Sequence, residues 1–354
     1  MNVRVLVSAV VAFASCVALL PVVSHICWRW RALDFPGPLK IHSRPVPRLG
    51  GIAVVIAIVA GMAASAYTSA RRDWPCVAAF GLIWAVGLID DLRSISPAFR
   101  LTAQFVAALG LWLGGLRIPR VGGFLGYVAV SLVVVAFTNS VNFLDGADGV
   151  AAGTSAIACV AFATLPGMSR DAFALCLSLA LLGASAGFLT SNFPPAKIYL
   201  GDSGSTVLGF GTAFLALRSY SIESSKPTAA ELLFPILVAA LPLSDAAFAI
   251  IRRLRANDSP FLGDLGHFTN LLSARGLSRR QVAFGCNGIA VVFAAVAWLE
   301  VKVQSWQTLS LSALCLAALI ALSIRLGSLR RTAWVAEPHR IQGEAGRKTF
   351  ETTA

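Results

Sequence analysis

Few residues in this chain could do chemistry, and most of them fall in four short motifs. The strongest is Asn139-Ser-Val-Asn142-Phe-Leu-Asp145-Gly-Ala-Asp148-Gly149. At a spacing of three, at least the first three polar residues share one helix face. The glycines that follow let the backbone come close to a ligand. Two amides and two carboxylates in one stripe suit ligand binding better than packing. Asp90 and Asp91 are adjacent in GLIDDLRS. Neighbouring carboxylates repel, and the dipole disfavours acids at a helix C-terminus, so the pair calls for a cation or a basic group. A helix end surfacing into water is the plainer account. Asp202 follows Gly201, and Ser203-Gly204-Ser205 then opens a helix. A carboxylate beside a helix N-terminus suits Mg²⁺ and phosphate oxygens together, although capping alone would also explain an Asp there. Ten residues earlier stands Asn192, and Tyr199 offers either an aromatic face to a base or an interfacial anchor.

The basic residues form a second set. Asp34–Gly51 carries four prolines, which prevent a continuous helix, with Lys40, His42, Arg44 and Arg48 among them. Such a loop could grip phosphate or lie on anionic lipid. The last polar loop holds Arg252, Arg253 and Arg255, then Asp264-Leu265-Gly266-His267-Phe268-Thr269-Asn270. One His near one Asp is a weak signal, and a solvated histidine accounts for it equally. Glu300 and Lys302 read as a helix-end pair. The seven cysteines form no CxxC pattern and read as small buried hydrophobes.

The elements that must position these motifs are set by composition. Of 354 residues, 57% are apolar and 13% charged, which excludes a disordered chain, a disulfide scaffold and a polar-coated globule. The expectation is an all-α, polytopic integral membrane protein. About eleven transmembrane helices are expected, centred near residues 14, 59, 82, 108, 132, 159, 181, 211, 242, 293 and 317. Residues 3–24 read as a retained first span rather than a cleaved leader. Residues 1–329 read as one transmembrane domain, and 330–354 as a polar, poorly ordered cytosolic tail. With eleven spans, one set of loops holds 20 of the 29 Lys and Arg residues. The positive-inside rule puts that set in the cytosol, with the N-terminus outside and the C-terminus inside. The net charge of +12 is then a topology signal rather than a nucleic-acid footprint. All four motifs fall on the cytosolic side.

At these residues the chain resembles the polyprenyl-phosphate N-acetylhexosamine-1-phosphate transferases. These include the bacterial enzymes that begin O-antigen, enterobacterial common antigen and teichoic-acid linkage units, and their relative phospho-N-acetylmuramoyl-pentapeptide transferase. The motifs carrying the resemblance are K-x-H-x-x-P-x-P-R-x-G-G at Lys40–Gly51, Asp90-Asp91, N-x-x-N-x-x-D-G-x-D-G at Asn139–Gly149, and G-D-x-G-S at Gly201–Ser205. The resemblance implies a bacterial inner-membrane enzyme. It would move an N-acetylhexosamine 1-phosphate, GlcNAc-1-phosphate first among them, from a UDP-sugar to undecaprenyl phosphate and release UMP. It also implies Mg²⁺, with Mn²⁺ as a substitute, held by Asp202 on the donor pyrophosphate. Asn192, Asp145 and Asp148 would frame the uridine side, with Tyr199 as a platform for uracil. Asp90 and Asp91 would face the lipid phosphate. Catalytic roles fall to Asp90, Asp91, Asp145, Asp148 and His267, and binding roles to Asn139, Asn142, Asn192, Tyr199, Lys40 and Arg48. Membrane lipids and a second copy of the chain are the remaining candidate partners.

The family pattern in the last loop is D-R-x-H-x-H-H. Here Leu265 stands for the Arg, and Thr269 and Asn270 for two histidines, so only His267 matches. That argues against the muramoyl-pentapeptide enzyme and bears on the choice of sugar. Two other readings compete: a degenerate homologue that binds without turnover, and a transporter using membrane carboxylates. A transporter calls for acids near the midplane, where Asp245 is the only candidate.

Overall fold

Runs of Leu, Val, Ala and Phe, broken only by short polar turns, leave the backbone no partner but itself in a lipid environment, and helices result. The computed structural model describes residues 3–36, 44–65, 70–165, 168, 170–222, 228–260 and 264–328. Its helices are α1 (Val3–Trp30), α2 (Gly50–Ala64), α3 (Ala70–Leu92), α4 (Pro97–Leu113), α5 (Gly123–Leu144), α6 (Val150–Ala163), α7 (Ala172–Asn192), α8 (Asp202–Ile222), α9 (Ala229–Val238), α10 (Ala240–Arg255), α11 (Phe268–Ser273), α12 (Arg279–Val303) and α13 (Trp306–Leu326). Two short strands, β1 (Leu33–Asp34) and β2 (Val46–Pro47), pair antiparallel with Leu33 opposite Pro47.

The chain is an all-helical, multi-pass membrane protein. Six helices, α1, α3, α5, α7, α12 and α13, are long and apolar enough to cross a membrane. The α9–α10 pair, bent by 72°, makes a seventh if it is one broken span. Pro242 sits just past that break and has no N–H for the carbonyl four residues back. Each of the eleven centres read from the sequence lies in a helix or at this bend. Length nevertheless separates them. With 15, 17 and 14 residues, α2, α4 and α6 reach about 21–26 Å against a core of roughly 30 Å. Six or seven crossings is what length and composition support.

Direction is regular throughout. Relative to the end of the bundle where Asp91, Asn142 and Asp202 meet, α1, α3, α5, α7, α10 and α13 finish there, and α2, α4, α6, α8 and α12 start there. At the centre, α7 is buried on nearly every face, as its all-round apolar sequence requires. It packs against α1, α2 and α6, while α8 lies against α3 and α5. Two hydroxyls inside this packing tie neighbouring helices together, Ser8 on the Gly61 carbonyl at 3.1 Å and Ser178 on that of Cys159 at 2.8 Å. The cysteines are free, six buried and Cys315 partly so.

One pairing read from the sequence is corrected. Glu300 is 1% exposed and accepts the Ser312 hydroxyl at 3.1 Å, while the Lys302 ammonium lies 5.0 Å from the Trp298 ring centre. Residues two apart do not share a helix face.

Candidate active site

Helix ends converge on a pocket of about 450 Å³. Its wall takes Asp91 from the end of α3, Asn142 and Asp145 from the end of α5, Asn192 from the end of α7 and Asp202 from the start of α8. Arg48, Asp148, Tyr199, Asp264, His267 and Arg279 also line it, as do Asp34, Thr269, Asn270 and Ser273.

The first turn of α8 is the centre of this arrangement. Asp91 is 5% exposed, and its two carboxylate oxygens accept the backbone N–H groups of Asp202 at 2.8 Å and Ser203 at 2.9 Å. The acid that looked misplaced at the C-terminus of α3 is therefore the cap of another helix, where the dipole favours it. Arg48 donates to the Asp91 backbone carbonyl and closes this corner. Gly201 sits at φ +73°, and a Cβ there would come 2.7 Å from the Asp91 carboxylate, so only glycine fits. The ribbon behind is fixed by backbone bonds from Tyr199 to Pro47 at 2.8 Å and from Gly50 to Tyr199 at 2.9 Å.

Asp202 keeps one side open, with its side chain 31% exposed. Asn142 donates to its Oδ1 at 2.6 Å and to the Ser205 hydroxyl at 2.8 Å. Asp145, half-buried one helical turn beyond Asn142, has its carboxyl pushed well above the usual range by burial and then by the charges of Asp202 and Asp91. This is a region with more negative charge than its own cations neutralise. Asp148 is better served. It accepts the Ala196 N–H at 3.0 Å and lies 3.6 Å from the Arg279 guanidinium. Asn192 is structural in its contacts, accepting the Gly149 N–H at 2.8 Å and donating to the Ile198 carbonyl at 2.9 Å. Tyr199 lines the pocket with its hydroxyl shifted further up by burial and Asp148, so it stays protonated.

Two candidate residues stand outside the pocket wall. Asp90 points away to Arg100 at 2.9 Å and to the Ile95 N–H at 2.9 Å. Its link to the site runs through Arg100, 4.0 Å from Asp202. Asn139, one turn deeper, exchanges hydrogen bonds with Gln104 at 2.7 and 3.3 Å. Lys40 lies outside the described residues.

On the opposite wall, every charge has a partner. Arg252 grips Asp264 with two nitrogens at 2.6 and 3.0 Å, and Arg253 adds a contact at 3.3 Å. Burial alone would raise the Asp264 carboxyl. The Arg252 hydrogen bond and the charges of both arginines outweigh it and hold the carboxyl below its usual range. His267 faces the pocket, with Nδ1 2.8 Å from Asp245. Sequence reading missed Arg100, Gln104 and Arg279. Arg100 had a visible signal, ten residues after Asp90 on the first turn of the next helix.

Comparison with known proteins now bears on this geometry. The model of Glycosyl transferase family 4 matches residues 74–220. The probable undecaprenyl-phosphate N-acetylglucosaminyl 1-phosphate transferase of Bacillus subtilis is 31% identical over 318 residues, 87% of this chain and 88% of that one. The decaprenyl-phosphate N-acetylglucosaminephosphotransferase of Mycolicibacterium smegmatis is 32% identical over 290 residues, 72% and 71% of the two chains. The chain belongs to glycosyl transferase family 4. It is a sugar-1-phosphate transferase. A more distant relative, the undecaprenyl-phosphate alpha-N-acetylglucosaminyl 1-phosphate transferase of Escherichia coli K12, is 27% identical over 266 residues, 70% and 71% of the chains. The family segment of this transferase spans Asp91, Asn142, Asp145, Asp148, Asn192 and Asp202. Arg48, Asp264, His267 and Arg279 lie outside it.

Proposed function

We propose that this transferase moves GlcNAc-1-phosphate from UDP-GlcNAc to undecaprenyl phosphate, releasing UMP and starting a lipid-linked surface glycan. The supporting observation is the open Asp202 carboxylate at the N-terminus of α8, backed by Asp145 and Asp91. The names of the relatives point to the same sugar and to a polyprenyl phosphate acceptor, undecaprenyl in two and decaprenyl in the third.

A phosphate monoester has a second pKa near about 6, so a lipid phosphate arrives mostly dianionic and needs little help from a base. The harder task is holding two anions together, which the pocket approaches in two ways. Arg48 and Arg279 bring fixed positive charge to its lining. The acidic cluster fits a hard divalent cation, because Asp145 is destabilised as an anion by burial and then by the charges of Asp202 and Asp91. Among the described residues no three His, Cys, Asp or Glu side chains form a metal-binding set. Mg²⁺ takes one or two carboxylates and fills its shell with phosphate oxygens and water. Asp202 and Asp145 would hold it, and when bound it would neutralise charge on the donor pyrophosphate. Asn142 orients Asp202, Asp91 fixes the helix start beneath it, and Tyr199 offers a face to the uracil. The lipid phosphate then attacks the sugar-linked phosphorus directly, in line with departing UMP.

The proposed topology has eleven crossings, with the pocket and C-terminus in the cytosol of a bacterial inner membrane. The alternating helix directions and the uneven Lys and Arg count support it. The deciding experiment supplies membranes with radiolabelled UDP-GlcNAc, undecaprenyl phosphate and Mg²⁺. Label should enter the lipid phase with wild type and not with Asp202→Asn. Transfer from another UDP-sugar instead would reassign the donor, and none from any would leave a binding protein without turnover.

A further inference from the structure

The buried acid Asp245 is absorbed neither by the acidic cluster nor by the Arg252–Asp264 clamp. It lies on α10, its side chain 2% exposed, and both of its oxygens are engaged within the segment 267–268. Oδ1 accepts the Phe268 N–H at 2.7 Å, and Oδ2 lies 2.8 Å from Nδ1 of His267. A carboxylate oxygen can only accept, so Nδ1 carries the proton. The other ring nitrogen, Nε2, has Arg253 Nη2 3.4 Å away, and a guanidinium only donates. Both neighbours therefore call for the same state: a neutral ring with its proton on Nδ1 and its lone pair on Nε2.

We propose that Asp245 is a positioning residue for this transferase. It fixes the tautomer of His267 so that Nε2, once a ligand donor takes the place of the 3.4 Å Arg253 contact, meets the pocket contents as a hydrogen-bond acceptor. This rests on the reading of the pocket as a UDP-sugar site and goes one step further. The phosphates are left to the cations, whereas an accepting nitrogen takes a hydroxyl or amide N–H of the sugar. The surroundings keep the ring in place. Phe143 packs on it with ring centres 5.4 Å apart, and Arg253 lies over that same Phe143 ring at 5.3 Å. The charged and titratable groups around it are Asp245 and Arg253 from α10, Asp264 at 3.9 Å from Nε2, Arg252 through Asp264, and Cys286 of α12 on the far side of Asp245. Asp264 is the one group that would favour a proton on Nε2. It is farther than Arg253, and Arg252 takes both its oxygens. A carboxylate orienting a histidine in this way changes activity by about 10–100-fold in metal sites and by more in hydrolase triads.

The chain has four histidines, so selective ¹⁵N labelling gives a readable spectrum, with His267→Gln assigning the peak. At pH 8.5, in detergent and without substrate, His267 should show a protonated Nδ1 and a bare Nε2. A bare Nδ1, or a ring protonated on both nitrogens, overturns the proposal whatever the variants do. In Asp245→Asn the single oxygen should stay with the Phe268 N–H, and the amide then faces Nδ1 as a donor and reverses the tautomer. GlcNAc-1-phosphate transfer per folded molecule should fall about 10–100-fold, mainly in kcat. Placed on His267→Gln, the same change should cost no more than about two-fold, because coupled residues are not additive. An equal loss in both backgrounds would mean a purely structural role and sink the proposal. A correct tautomer with a His267→Gln enzyme as active as wild type would instead show that the sugar-site reading of this wall is at fault.

Discussion

The two walls of the pocket treat charge in opposite ways. Around α8, Asp91, Asp145 and Asp202 crowd together, and Asp145 is held against ionisation by burial and then by the charges of the other two. Across the pocket, Asp264 is gripped by two buried arginines and Asp245 by His267 and a backbone N–H. One wall is incomplete until something positive or a charged ligand arrives. The other is already satisfied and serves as a rigid frame. Stability should therefore respond in opposite directions to carboxylate removal on the two sides.

The largest effect belongs to the open acid. Asp202→Asn should lower transfer by about 10³-fold or more with the protein still folded; a residual activity above a tenth would remove Asp202 from the centre of the site. Next in size, Arg252→Ala leaves Asp264 buried without its main partner and should cost about 3–5 kcal/mol of stability, read as early loss of the helical signal on heating. If the unfolding temperature does not move, the second wall is not the frame described.

The third prediction sets the two carboxylates against each other. The raised carboxyl of Asp145 means the folded protein keeps a proton there above the usual value of about 3.9, so stability falls as pH climbs from there through the raised value. In EDTA, Asp145→Asn should thus unfold about 2 °C or more higher than wild type at pH 8, with the gain fading toward pH 4. Asp264 has the reverse sign. Its stabilisation is present above about 3.9 and lost as pH falls through its lowered value, so the deficit of Asp264→Asn should narrow in acid. Two differences that run parallel with pH would erase the contrast. The smallest effect is expected from Arg100→Gln, which touches the open wall only at 4.0 Å. It should weaken transfer about 10-fold, and no change at all would detach the Asp90–Arg100 pair from the site.

Most of the open wall could be read from the chain, because Asn139, Asn142, Asp145 and Asp148 carry their spacing in local order. The structure separates them by depth: Asn142 and Asp145 reach the pocket, and Asn139 turns to Gln104. That split depends on the neighbouring helix, which no local spacing encodes. The same holds for Asp91, whose duty lies on a helix that begins 111 residues later. Asp245 was visible only as an isolated acid in a greasy run, since the His267 that gives it meaning arrives through a loop 22 residues on. The helices themselves were legible from hydropathy, while the number of crossings was less so, because α2, α4 and α6 are apolar yet short and α8, though 21 residues long, is not among the helices apolar enough to cross.

The bond from Asp91 to the start of α8 also has a consequence for biosynthesis. The ribosome makes the cap long before the helix that needs it, so the Asp91 carboxylate is in place before its two N–H partners exist. Once Asp202 and Ser203 emerge, their N–H groups find a waiting acceptor, and α8 is anchored at the level of α3 rather than at a depth set by its own hydropathy. The polar opening of α8, too hydrophilic to choose a position by grease alone, is thus registered by a residue translated five helices earlier.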